Sequence, residues 1–179
     1  MLYILKAYNI LILGVYEGRD IAYIAEILRA SGQTKYTITG IDLFEDTAGA
    51  DWPEEKRGLT WQEAGFGNSP SLEKASANLE KLGLLANVSL VQSRADDFLR
   101  CTTEHFNLIY VDVSHDYGTT KTCIDLAIPK LTFQGVLAGD DFSDEGTWGV
   151  ASAVKDSFVK FRVFYDWIWL AKDSDYRRS

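Results

Sequence analysis

Residues 9–30 read NILILGVYEGRDIAYIAEILRA. Asn9 to Leu13 is a short apolar run that stops at Gly14, and from Glu17 to Ala30 the residues Ile21, Ile24, Ala25 and Leu28 recur on one helical face. The segment therefore reads as a strand, a tight turn and an amphipathic helix.

The same unit recurs outward along the chain. Tyr36 to Asp42 (YTITGID) is β-branched and ends in an acid, and Ser71 opens a helix with Leu72, Ala75, Leu79 and Leu82 inward and Gly83 as its stop. Val88 to Gln92 is a third strand and Arg94 to Arg100 a short helix. Phe106 to Asp112 (FNLIYVD) is again apolar and again ends in an acid. The pattern predicts a helix over 119–131 and a strand over 135–139, which runs into Asp140 and Asp141. Near-continuous apolar strands alternating with amphipathic helices indicate an α/β class with a parallel sheet covered on both faces. After a last helix near 149–159, the runs 162–165 and 167–171 leave no room for a crossover helix. They are expected to pair antiparallel at one end of the sheet.

The 179 residues fit one domain, read as 1–179, with no place for a second. With 46% hydrophobic and 13% aromatic residues the chain can bury a sizeable core, which excludes global disorder. The net charge of −8 makes nucleic acid and anionic membrane poor partners. Cys101 and Cys123 form neither a CxxC pair nor a disulfide framework, which suits a reducing compartment. The opening MLYILKAYNILILG is broken by Lys6 and Asn9 and lacks a signal-peptide cleavage pattern. A cytoplasmic, soluble protein is expected.

The stretch 43–70, with Trp52, Trp61, Phe66 and four glycines, is too long for an ordinary connection. It is read as a lid or substrate wall. His105 reads as surface, Trp148, Trp167 and Trp169 as core or interface, and Arg177 with Arg178 as a solvated tail.

In an open α/β sheet ligands bind beyond the carboxyl ends of the strands. The ends to inspect are Gly14 to Gly18, Asp42, Asp112 with His115, and Asp140 with Asp141. Gly14-Val15-Tyr16-Glu17-Gly18 is a G-x-x-x-G, unlike the G-x-G-x-x-G of nicotinamide enzymes. Alone it is equally a ligand turn and an empty strand-to-helix turn. Asp42, 24 residues after Gly18, stands where a carboxylate can accept ribose hydroxyls, which favours a nucleoside without choosing between NAD and S-adenosylmethionine.

The choice comes from YVDVSHDY, Tyr110 to Tyr117, followed by GVLAGDDF, Gly135 to Phe142. With ILILGVYEGRD, TITGID and VSLVQSRADDFL, these segments resemble the class I S-adenosylmethionine-dependent methyltransferases. The likeness is strongest to the small-molecule O-methyltransferase branch of the macrocin and mycinamicin sugar enzymes. The resemblance implies a three-layer α/β/α Rossmann-like fold around a mostly parallel seven-stranded sheet with an antiparallel C-terminal strand. It implies that Gly14, Tyr16 and Gly18 cradle the methionine part of S-adenosyl-L-methionine and that Asp42, with Leu43 beside it, holds the ribose. Ser93, Arg94 and Ala95 would lie beside the adenine. Asp112, at the edge of the cofactor site, would with Asp140 and Asp141 hold Mg²⁺ or Mn²⁺, and His115 would be the general base.

The implied reaction is metal-assisted O-methylation of a hydroxylated small-molecule acceptor, with a homo-oligomer left open. Three carboxylates around a hard cation, with open positions for substrate oxygens, suit the deprotonation that methyl transfer requires. Two positions depart from the relatives. Ile12 stands where they usually carry an acid, and Asp20 where they carry Ser or Thr. The departures and the short N-terminal lead keep a catalytically degenerate nucleoside binder as the runner-up, ahead of an NAD-dependent oxidoreductase.

Overall fold

Ile10, Leu11, Ile12 and Leu13 are all 0% exposed because strand β1 (Asn9–Leu13) has a strand on each side and helices on both faces. The computed structural model describes residues 9–46 and 52–177. Its strands continue with β2 (Thr37–Asp42), β3 (Val88–Gln92), β4 (Phe106–Val111), β5 (Leu131–Gly139), β6 (Arg162–Phe164) and β7 (Ile168–Lys172). The helices are α1 (Arg19–Ala30), α2 (Leu72–Lys81), α3 (Ala95–Cys101), α4 (Tyr117–Ala127) and α5 (Val150–Ser157). The sheet order is β3-β2-β1-β4-β5-β7-β6. The first five strands run parallel, whereas β7 pairs antiparallel with both β5 and β6.

Alternation along the strands sorts the core into two layers. Leu11, Leu13, Ile109, Val111 and Leu137 face Leu99, Ile124, Ala127, Val154 and Trp169, while Ile10, Ile12, Leu108 and Val136 face Ile21, Ala25, Leu28 and Leu79. Each fully buried Leu or Ile contributes roughly 1.5–3 kcal/mol relative to exposure. Strand order reverses between β1 and β4, so the carboxyl ends of these two neighbours open a crevice there.

Several boundaries differ from the sequence reading. The helix expected over 119–131 stops at Ala127, followed by a 3-10 turn at Ile128–Lys130. Pro129 lacks the N–H that another helical turn needs. Strand β5 then begins at Leu131, four residues before Gly135, because an irregular register against β4 lets the pair start early. Leu82 is 53% exposed rather than inward, since Gly83, at φ 64, turns the chain and buries Leu84 instead. Trp169 is core at 0% exposure, but Trp167 is 45% exposed in the turn before β7. Arg177 is exposed yet tied down, donating from its backbone N to Ser157 and from Nε to Phe158. Arg178 lies outside the described residues, as do 1–8 and 47–51 of the stretch read as a lid. No helix among the described residues is long and apolar enough to cross a membrane.

Candidate active site

The ends of the parallel strands are bonded into one rim. Gly14 N–H donates to Ile41, Asp112 N–H to Leu13, Ser93 N–H to Asp42 and Asp140 N–H to Val111, all backbone to backbone. Beyond this rim lies a cavity of about 980 Å³. Gly14, Tyr16, Gly18, Asp42, Leu43, Ser93, Arg94, Ala95 and Asp112 all line it, as does His115. Every residue expected to meet the cofactor therefore lines one cavity.

The turn into α1 explains its two glycines differently. A Cβ on Gly14 would fall 1.6 Å from the Asp112 carbonyl oxygen, so this glycine is required by the crossing of two backbones. Gly18 caps α1 in the left-handed region at φ 90, where a Cβ would meet only the Leu79 side chain at 3.2 Å. Between them Tyr16 is left-handed at φ 51, an uncommon state for an aromatic residue. Its hydroxyl donates to the Asn68 carbonyl and its ring stacks on Trp61 at 5.2 Å, which holds it there.

Asp42 organises this turn. Its Oδ2 accepts from the backbone N–H groups of Val15 (2.7 Å) and Tyr16 (2.8 Å), and Oδ1 accepts from Phe44 N–H (2.7 Å). Of the roughly four acceptor positions of a carboxylate, these use three, leaving room for one further donor.

The stretch 43–70 has structure of its own in its described part. A 3-10 turn at Glu54–Lys56 precedes an aromatic cluster in which Trp52 meets Trp61 at 5.1 Å and Phe66 at 4.4 Å. Lys56 Nζ lies 4.3 Å from the Phe66 ring centre and donates to the Ala64 carbonyl. Trp52 and Trp61 also line the cavity.

Asp112 and His115, both in the cavity wall, meet Asp141 outside it, each of the three bringing a ligand atom within 4.8 Å of the others. His115 Nε2 lies 2.7 Å from Asp141 Oδ2 and 3.8 Å from Asp112 Oδ1. This neighbourhood follows from the pairing of β4 with β5, which sets Val111 beside Gly139. Asp141 is itself left-handed at φ 57, a state that Asp tolerates better than most residues. Burial raises the Asp112 pKa above the usual carboxylate range, opposed by His115 beside it. Asp140 is pushed up to about 6, first by burial, against the Asp141 N–H that it accepts, and further by the charge of Asp112. His115 does not cap the following helix, because Asp116 does so by accepting from Thr119 N–H. Of the three acids expected at a metal, Asp112 and Asp141 come together beside His115 and Asp140 is not in the group; the two carboxylates suit a hard divalent ion.

The sequence reading missed Trp148, taken for packing. Its ring lies 4.6 Å from that of His115 and 6.0 Å from that of Trp167. His105 is exposed, as expected, and buried Cys123 has its thiol pushed up to about 12 by desolvation, which makes it inert.

The Asp140 shift gives a pH test. A carboxyl whose pKa is higher folded than unfolded costs stability once ionised, so the penalty is absent below about pH 4 and complete above about pH 6. Asp140→Asn keeps an oxygen for the Asp141 N–H. After allowance for solvent screening, it should gain about 1 kcal/mol at pH 7.5, a rise of roughly 2–4 °C in Tm, and nothing at pH 4. Thermal melts of both proteins at the two pH values check this, and an equal shift at both would contradict it.

The family model for a methyltransferase domain matches residues 11–142. No curated protein matches the chain. Among solved structures, the O-methyltransferase NovP aligns with TM-score 0.70 at 17% identity, over 92% of this chain and 71% of that one. CalS11, a calicheamicin methyltransferase, aligns with TM-score 0.66 at 17% identity, over 95% and 74%. The cofactor-bound protein Rv0187 from MTB aligns with TM-score 0.62 at 16% identity, over 96% and 75%. At such identities these likenesses establish the fold. The matched segment runs from inside β1 to just past the Asp140–Asp141 pair, and on that match the chain belongs to the methyltransferase-domain family.

Proposed function

We propose that this protein transfers the methyl group of S-adenosylmethionine to a hydroxyl oxygen of a small molecule, assisted by a divalent metal ion. The observation that carries the reading is that Asp112 and His115, which line the same cavity as Gly14, Gly18, Asp42 and Arg94, converge with Asp141. NovP and CalS11, named as methyltransferases, share the fold.

The cofactor fits the residues present. The cavity is large enough for a nucleoside with an amino-acid tail, and Asp42 retains one acceptor position for a ribose hydroxyl. S-adenosylmethionine supplies an electrophilic methyl on a sulfonium. A divalent ion, Mg²⁺ or Mn²⁺, supplies charge that lowers the pKa of an acceptor hydroxyl. Asp112 and Asp141 would hold the ion, with Asp140 next to them. His115, within reach of both carboxylates, takes the hydroxyl proton. Trp148 packs against the His115 ring and restricts its orientation.

Trp52 and Trp61 give the acceptor side an aromatic wall, and the stretch that carries them closes over bound ligand. Limited proteolysis should cut 43–70 several-fold more slowly with S-adenosylhomocysteine and Mg²⁺ present. Unchanged cutting would leave it a permanently packed excursion.

A radiolabelled methyl donor, presented with Mg²⁺ and a panel of catechols, phenols and glycosides, tests the reaction itself. Label should arrive as an oxygen methyl ether. Label appearing only on nitrogen or sulfur acceptors would overturn the O-methyltransferase reading.

A further inference from the structure

Among the described carboxylates that line the large cavity, four have partners and Glu45 is exposed to solvent. Asp42 is occupied by three backbone N–H groups, Glu17 pairs with Lys74, Asp96 with Arg94 and Arg100, and Asp112 with His115. Strand β1 adds none, since Ile10 to Leu13 are apolar and 0% exposed. Asp20 is different. It lies in the first turn of α1, two residues past the left-handed Gly18, lines the cavity, and has a side chain only 22% exposed. Its ionic partner is its own neighbour Arg19, at 3.3 Å, with a side chain 68% exposed and only a weak hold on the pair. The negative charge of Asp20 is felt at Asp112 and at Asp140, where it adds to the repulsion among the acids. A metal ion would answer Asp112 and Asp141, which leaves Asp20 facing the cavity with the exposed Arg19 to balance it.

We propose that Asp20 is the counter-ion for the α-ammonium group on the amino-acid tail of the cofactor, so that this chain recognises the tail from the first turn of α1. The inference rests on the cofactor reading above. An acid at that position would repel the tail's carboxylate and attract its ammonium, so Asp20 also sets which end of the zwitterion approaches α1. A role limited to the helix dipole would affect folding and leave ligand choice alone.

Two ligands separate these roles. S-adenosylhomocysteine carries the amino-acid tail, and 5′-deoxy-5′-methylthioadenosine has the same nucleoside without it. Calorimetry on the wild type and on Asp20→Asn should show S-adenosylhomocysteine weakened about tenfold or more, as for loss of a charge-assisted hydrogen bond. The affinity for methylthioadenosine should stay within about twofold, which also shows the variant to be folded with its nucleoside pocket intact. Equal losses for both ligands, or tighter binding of S-adenosylhomocysteine by the variant, would overturn the assignment. If the wild type binds neither ligand, the cofactor reading itself falls; if it binds both and only the comparison fails, Asp20 alone loses its role.

Discussion

Gly14→Ala is expected to cost about 3 kcal/mol or more of folding stability. The added methyl would fall 1.6 Å from the Asp112 carbonyl oxygen, and the residue would be held at φ 94, where an L side chain is strained. Neither atom at the clash is the end of a flexible side chain, so β1 and β4 must part at the point where Asp112 N–H bonds Leu13. Asp112 moves with that peptide, and ligand binding is lost along with stability. Gly18→Ala is milder, because its methyl meets the Leu79 side chain at 3.2 Å, which can give. Urea denaturation of both variants measures the difference. A Gly14→Ala midpoint close to the wild type would show that the two strand ends do not cross as described.

The second large effect is at the acidic end of the cavity. Asp141→Asn keeps a side chain that accepts the left-handed backbone but removes the charge 2.7 Å from His115 Nε2. Mn²⁺ affinity, measured by calorimetry, should fall about a hundredfold or more, beyond what loss of a supporting hydrogen bond would cost. S-adenosylhomocysteine binding should change little, since Asp141 is not in the wall of the large cavity. His115→Ala separates a ligand from a base: as a base, it lowers turnover and retains most of the Mn²⁺ affinity. A wild-type Mn²⁺ affinity kept by Asp141→Asn would remove the ion from this position.

What could be read from the sequence was what periodicity and strand ends encode. The apolar runs and the Ile21, Ile24, Ala25, Leu28 face gave the parallel sheet. The shortness of the link before Trp167 gave the antiparallel pairing of β6 with β7. The boundary errors arose where one residue outweighed a pattern. Pro129 ended α4 inside an apolar stretch, and Gly83 exchanged Leu84 for Leu82 in the core.

In the site, the positions at strand ends were legible because chain order fixes them. Their partners were not. Asp42 accepts three bonds from the N–H groups of Val15, Tyr16 and Phe44, and no spacing rule anticipates that the turn itself takes up so much of the carboxylate. Trp148 reached His115 only through the path of the chain after β5, which composition does not encode. A run with Trp52, Trp61 and Phe66 close together signalled a folded excursion. Its anchoring on Tyr16 depended on a backbone turn visible only in three dimensions.

The central claim is that the cavity beyond β1, β2 and β4 takes an S-adenosyl ligand. Calorimetric titration of the intact protein with S-adenosylhomocysteine and, separately, with NAD tests it most directly. The remaining acceptor of Asp42 suits the ribose of either ligand, and the G-x-x-x-G turn decides between them: saturable one-to-one binding of S-adenosylhomocysteine, lost in Gly14→Ala, and no measurable heat with NAD. Saturable binding of NAD with none of S-adenosylhomocysteine would contradict the account.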